Sequence, residues 1–299
     1  MDKKGLGLSR LGVAILIICL AMASVVYAGD TAQDTLTTSL VLGNAAPVVN
    51  DVVVQNSGAY NPTSCSTTEV TVRFNATDDN GWEDIDLTNG STNCTLAKGG
   101  TTATLSAGTC TKVSNSTSTK ALFQCTGDMQ YYYLTGADWA ITCAVVDSAA
   151  ATDNNATATM TYNRLEDIVI VDASAAWTSI TTSSTDVASD DNAIVVNNCG
   201  NAYFATLNVT GYDLIGATTA TDKIPASDFS CNDAAAAGGE ALVNTTATTM
   251  TGGALLIGSG VSEDVYLYLE QITVPVSAQT YNSESAWQIM LYGADNTNP

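Results

Sequence analysis

Residues 78–86 read DDNGWEDID, which sets Asp78, Asp79, Glu83, Asp84 and Asp86 around the turn-forming pair Asn80-Gly81. Carboxylates at this density can do two things. They can chelate a hard cation such as calcium, which takes about six to eight oxygens. Otherwise they form a solvated, charged turn. An EF-hand register fails: with Gly81 at the sixth loop position, Ala76 stands at the first and Leu87 at the twelfth, where oxygen ligands are required. A different geometry draws on a second loop. In a β-sandwich of the immunoglobulin type, the loop after the second strand shares one end with the loop before the last strand. Asp147 and Asp153 belong to that later loop. Asp78, Asp79, Asp84, Asp147 and Asp153 are therefore the candidate metal ligands, with calcium as the expected cofactor and the solvated turn as the alternative. Converging carboxylates repel unless they are protonated, hydrated or bridged by a cation.

Other chemistries are poorly served. The chain contains no His, so neither a Ser-His-Asp nor a Cys-His arrangement can be built. Gly-x-Ser-x-Gly and Asp-Thr-Gly are both absent. Acidic pairs of the glycosidase kind occur by composition alone, so they single out no site. No enzyme is expected. The formal charge of −21 repels nucleic acid, and no nucleic-acid partner is expected.

Of the 8 cysteines, seven follow residue 28, and none has the Cys-x-x-Cys spacing of a zinc site. Cys199 and Cys231 stand apart from the other five and are expected to pair. Cys110 and Cys125 flank TKVSNSTSTKALFQ, which reads as a hairpin they can bridge. Cys65 and Cys143 fall on two predicted strands from opposite halves of one domain and form a third candidate pair. An odd number leaves one thiol free or intermolecular, and spacing does not determine the connectivity. Asn-x-Ser/Thr acceptor sequences for glycosylation occur at Asn75, Asn89, Asn93, Asn115, Asn155, Asn208 and Asn244.

The elements that must position these groups are strands. The chain is 45% apolar but only 13% charged, rich in Thr, Ser and Asn, which suits sheets with polar loops. EVTVRFNAT alternates, placing Val70, Val72, Phe74 and Ala76 on one face and Thr71, Arg73 and Asn75 on the other. WAITCAVVD does the same with Trp139, Ile141, Cys143 and Val145, and DVYLYLEQITVPV and AWQIMLY repeat the pattern later. Short strands with turn signals between them predict an all-β chain of two tandem antiparallel sandwiches, at 46–163 and 166–299.

Lys3, Lys4 and Arg10 precede the apolar run LGVAILIICLAMASVVYA, and Val26-Tyr27-Ala28 has the small-residue spacing of a cleavage site. Residues 1–28 are a signal peptide or an uncleaved membrane anchor, and both export the remainder. Residues 29–45 form an extended linker, and TLTTSLVL within it has strand propensity. Leu36, Leu40 and Leu42 lie on its more apolar row.

Several stretches resemble extracellular surface domains. KKG before the apolar run resembles the class III signal of archaeal pilins and archaellins, although Arg10 departs from that pattern. GADWAITCAVVD resembles the penultimate strand of Ig-like and PKD-like domains, with Ile141 where an antibody domain has Tyr. TDDNGWEDI resembles the loop after the second strand of archaeal and bacterial surface domains. VVNNCGNAYFATLNVTGYDL, KIPASDFSC and ITVPVSAQTYNSESAWQIML resemble another Ig-like module of archaeal surface proteins, the last of them its final hairpin. The layout as a whole resembles archaeal pili that assemble by strand donation.

The resemblance implies an exported, non-enzymatic structural protein at the cell surface that self-assembles head to tail. Leu36, Leu40 and Leu42 would then serve as the donated side chains. The alternative is a monomeric or anchored surface module for adhesion or glycan binding, in which Tyr131-Tyr132-Tyr133 could stack on sugars.

Overall fold

The computed structural model describes residues 39–41, 43–88, 90–105 and 110–295. The chain forms two compact units, Met1–Gly43 and Asn44–Pro299. Of the first, Ser39, Leu40 and Val41 are exposed and in no strand. Residues 1–28, and with them the signal or anchor segment, lie outside the described residues, as do Leu36 and Leu42. Among the described residues no helix is long and apolar enough to cross a membrane.

The second unit is all-β. Its first nine strands are β1 (Val48–Val54), β2 (Ala59–Tyr60), β3 (Thr67–Thr77), β4 (Asn93–Lys98), β5 (Thr101–Leu105), β6 (Cys110–Asn115), β7 (Lys120–Gln130), β8 (Gly136–Val146) and β9 (Thr152–Tyr162). They make two sheets, in the orders β1-β3-β7-β6 and β2-β9-β8-β4-β5. All these ladders are antiparallel except the short β2–β9 pairing.

The alternation read from sequence sets the core. Val70, Val72, Phe74 and Ala76 of β3 are all buried, and so are Trp139, Ile141, Cys143 and Val145 of β8. A one-residue slip would turn each set outward, so the pattern specifies register as well as face. Phe74 stacks on Phe123 of β7 across the β3–β7 ladder, ring centres 5.6 Å apart. The sheets approach closely at Gly127, where a Cβ would stand 2.6 Å from Leu105 Cδ2.

Twelve further strands follow among the described residues. They are β10 (Ile168–Ile170), β11 (Thr185–Ala188), β12 (Ile194–Asn198), β13 (Tyr203–Thr210), β14 (Leu214–Gly216) and β15 (Lys223–Ile224). After them come β16 (Phe229–Asn232), β17 (Glu240–Ala241), β18 (Ala247–Thr249), β19 (Ser262–Gln271), β20 (Tyr281–Ser283) and β21 (Gln288–Asp295). One sheet runs β10-β12-β19-β16-β17, with β11 also on β19. Two smaller sheets run β18-β13-β21 and β15-β14-β20. Residues from all three close a second core around Val196, Phe204, Leu207, Phe229, Leu255, Val265 and Leu267. No described strand before residue 163 shares a sheet with one after it. The stretch 272–291, expected to close as a hairpin, does not: β20 pairs with β14 and β21 with β13.

The disulfides correct two of the three expected pairs. Cys110–Cys125 forms as expected, its residues opposite each other on β6 and β7. Cys143 pairs with Cys94, because β4 lies beside β8 with those two residues in register. Cys65, expected to reach Cys143, instead bonds Cys199 and joins the two sandwiches.

Cys199 and Cys231 do not pair. Cys199 follows β12, Cys231 lies on β16, and β19 runs between those strands. Two strand spacings amount to about 9–10 Å, beyond the roughly 7 Å Cα limit of a disulfide. Cys231 is the free, buried cysteine among the described residues. Burial, with Glu240 nearby, pushes its thiol up to about 12, so it stays protonated and unreactive. Three disulfides mark a chain that matures in an oxidising, extracellular-type environment.

Candidate functional site

The acidic loop and the β8–β9 turn meet at one end of the first sandwich. After β3, Asn80-Gly81 turns the chain, with Gly81 at φ +118°, a backbone angle that side chains disfavour. A 3-10 turn, Trp82–Asp84, then carries Asp84 back across that end. Ile85 bridges Asp147, Asp86 N donates to Val146 O at 2.9 Å, and Ser148 N donates to Asp84 O at 2.9 Å. These backbone bonds hold the two loops together whatever the carboxylates do.

Asp78, Asp84 and Asp147 each place a carboxylate oxygen within 4.8 Å of the others. Asp78 and Asp147 are buried and Asp84 is half-buried. Asp147 is well supplied with donors. Its Oδ2 accepts Asn44 Nδ2 at 2.7 Å, and its Oδ1 accepts Ala149 N at 3.0 Å and Ala151 N at 2.7 Å. The Asn44 bond and then the backbone bonds hold its carboxyl below the usual range.

Asp78 is supplied on one side only. Its Oδ1 accepts Asn80 N at 2.8 Å, whereas its Oδ2 is buried without any hydrogen-bond partner. Burial first, then the charges of Asp84, Asp147 and Asp79, push its carboxyl up. Asp84 accepts a bond from Ser148 Oγ. Among the described residues no Lys or Arg makes an ion pair with any of the three. Lys112 lies instead over the Trp82 ring, 3.6 Å from its centre.

Two expected ligands stand outside this cluster. Asp79 is exposed. Asp153 lies on β9, and its Oδ2 accepts Val49 N at 2.7 Å. That bond ties the edge strand β1 to the opposite sheet. The chain also comes into the sandwich here: Ala45 N donates to Asn80 Oδ1 at 2.6 Å, beside the Asn44–Asp147 bond.

A second feature escaped sequence reasoning. A groove of about 1030 Å³ opens in the second sandwich, its lining mixing apolar groups such as Ile180, Leu267 and Ile289 with polar ones such as Gln279 and Asn282. Trp177, Phe229 and Trp287 cluster on its wall, with ring centres 4.9–6.1 Å apart. Beside it, β21 is an edge: among the described strands it pairs only with β13. Its inward residues Ile289, Leu291 and Ala294 pack on the core yet remain only half-buried. AWQIMLY did signal a strand, but alternation cannot say whether a strand is covered.

The glycosylation acceptors divide by exposure. Asn115 and Asn244 are exposed, and Asn75, Asn93 and Asn155 are half-buried. Asn89 lies outside the described residues. Asn208 is a correction: it is buried on the central strand β13, with its Oδ1 unpartnered inside. At 9% exposure it offers little room for a glycan. Tyr131, Tyr132 and Tyr133 follow β7 as a turn, not an open stacking platform. Tyr131 OH accepts Gly260 N at 3.3 Å, and Tyr133 stacks on Trp139.

Glu263 on β19 is the strongest acidic outlier. Burial, with Asp233 and Asp264 adding repulsion, pushes it up to about 7 from 4.5. A raised folded pKa means that the folded state favours the proton. The stability it confers is full below pH 4.5 and is lost as pH rises through about 7. Glu263→Gln should therefore flatten the fall in urea midpoint between those pH values. If variant and wild type show parallel profiles, Glu263 titrates normally.

No protein-family model matches this chain, and comparison with curated proteins finds no relative.

Proposed function

We propose that this chain is a non-enzymatic extracellular structural protein that polymerises head to tail into a surface filament. The stretch TLTTSLVL, residues 35–42 of the linker 29–45, would enter the second sandwich of the next copy as a donated strand. The groove with its aromatic wall beside the unpaired edge of β21 carries this reading. A sandwich that leaves Trp177, Trp287 and Ile289 along an open groove exposes main-chain donors and acceptors at the same edge. One extended segment satisfies both needs, through backbone pairing and alternate side chains.

The segment TLTTSLVL has the right composition. Leu36, Leu40 and Leu42 lie on one row, and eight residues in strand geometry span about 26 Å. Leu40 and Val41 are 84% and 89% exposed, so their apolar surface is available to a partner. A head-to-tail contact between different surfaces does not close on itself, and it propagates as a fibre. The absence of His and the disulfides fit an inert extracellular scaffold, and the sequence resemblance to archaeal surface modules points the same way.

Deleting residues 31–42 from the exported chain should leave folded monomers by sedimentation and abolish fibres by electron microscopy. A peptide of residues 31–42 added to the truncated chain should alter the fluorescence of Trp177 and Trp287. Fibres that persist in the truncated chain would overturn the proposal. A full chain that stays monomeric at high concentration and a truncated chain indifferent to the peptide would do so too, leaving a monomeric surface module for adhesion or glycan binding.

A further inference from the structure

The geometry points to a calcium-class cation site formed by Asp78, Asp84 and Asp147, which locks the incoming chain onto the first sandwich. A three-carboxylate cluster alone would not carry this. The decisive observation is Asp78, only 1% exposed, with an Oδ2 that no donor reaches. A buried carboxylate oxygen without a partner costs about 1–3 kcal/mol or more. Here it is retained beside two further carboxylates, with no basic side chain paired to any of them among the described residues. Bulk water does not reach it as it would in a surface turn, since Asp78 is only 1% exposed.

The size also fits. Calcium–oxygen distances of about 2.3–2.6 Å allow two ligands of one ion to stand up to about 5 Å apart. Oxygens within 4.8 Å of one another need close by only a few tenths of an ångström to share such an ion. Water would complete the shell.

The ion would join three pieces of chain. Asp78 and Asp84 come from the β3–β4 connection and Asp147 from the β8–β9 turn. Asn44 is held through its bond to Asp147. Binding would offset the mutual repulsion of the three carboxylates and would fix where Asn44 and Ala45 meet the sandwich. This site is independent of the filament reading, since a monomer could carry it equally well.

The test uses the full exported chain and three probes: calcium, a chelator, and terbium, excited through Trp82 in the turn that bears Asp84. Millimolar calcium should raise the melting temperature over that in chelator, since the ion binds only the folded state. Terbium emission should saturate and be displaced by calcium. Asp78→Asn should weaken calcium binding by about 100-fold by removing one of three charged ligands. The same variant in chelator should melt no lower than wild type, because one repelling charge is gone. Asp79→Asn should behave as wild type. Equal melting of wild type in calcium and chelator would overturn the site, as would an Asp78→Asn variant that still binds calcium normally.

Discussion

Replacing Cys65 and Cys199 together by Ala is expected to split the unfolding of this protein into two transitions. Each sandwich has its own core, one built around Phe74, Phe123 and Trp139 and the other around Phe204, Phe229 and Leu267. What crosses between them is mostly polar. Cys65 N donates to Cys199 O at 3.1 Å, Asn201 Nδ2 donates to Asn163 O at 3.0 Å and Tyr133 O at 3.2 Å, and Gly260 N donates to Tyr131 OH at 3.3 Å. A few such bonds contribute about 1 kcal/mol each.

The disulfide closes a loop with a sequence separation of 134. In the chain-entropy account a loop of that length corresponds to about 5 kcal/mol, as an upper figure. Without it, the less stable sandwich should open first and alone. Scanning calorimetry of the double variant should show two peaks, the first well below the wild-type temperature. A single peak shifted by less than about 1 kcal/mol in stability would mean that packing, not the cross-link, couples the sandwiches.

Trp139→Ala should cost the first sandwich about 3–5 kcal/mol, the range for removing a fully buried large aromatic. Trp139 has no exposed surface. It stacks on Tyr133 with centres 5.9 Å apart and meets Tyr162 edge-on at 6.5 Å. Its Nε1 donates to Leu134 O at 2.8 Å, pinning the turn that precedes β8. Alanine would leave a cavity and an orphaned carbonyl together. Trp139→Phe keeps most of the volume and loses only that bond, so it should recover more than half of the deficit. Urea unfolding followed by circular dichroism measures both. A loss under about 1 kcal/mol for the alanine variant would show that the core collapses around the gap.

Much of this architecture was legible in the sequence, and the legible part is local. Alternation along β3 and β8 assigned the inward residues, because side chains on a strand change face at every step. The Cys110–Cys125 bridge could be read because a hairpin sets its own register. The meeting of Asp78 and Asp84 with Asp147 followed from which loops share an end of a sandwich.

Only the tertiary structure decided the rest, and the reason in most cases is strand order. β19 comes between β12 and β16, which separates Cys199 from Cys231 and leaves Cys199 to Cys65. β4 comes beside β8, which gives Cys143 to Cys94. Asp153 was taken from the carboxylate cluster because β1 lies against β9 and offers it Val49 N. Asn208 was withdrawn from solvent although it alternates with the core residues Leu207 and Val209, because both faces of β13 are covered at that point. The groove is assembled mainly from residues within 170–182 and 272–289, far apart in sequence, and so appears only in the fold. Alternation within a strand is encoded by that strand's own residues. The neighbours of a strand are chosen by the whole chain, through contacts between residues far apart in sequence, and no single stretch records them.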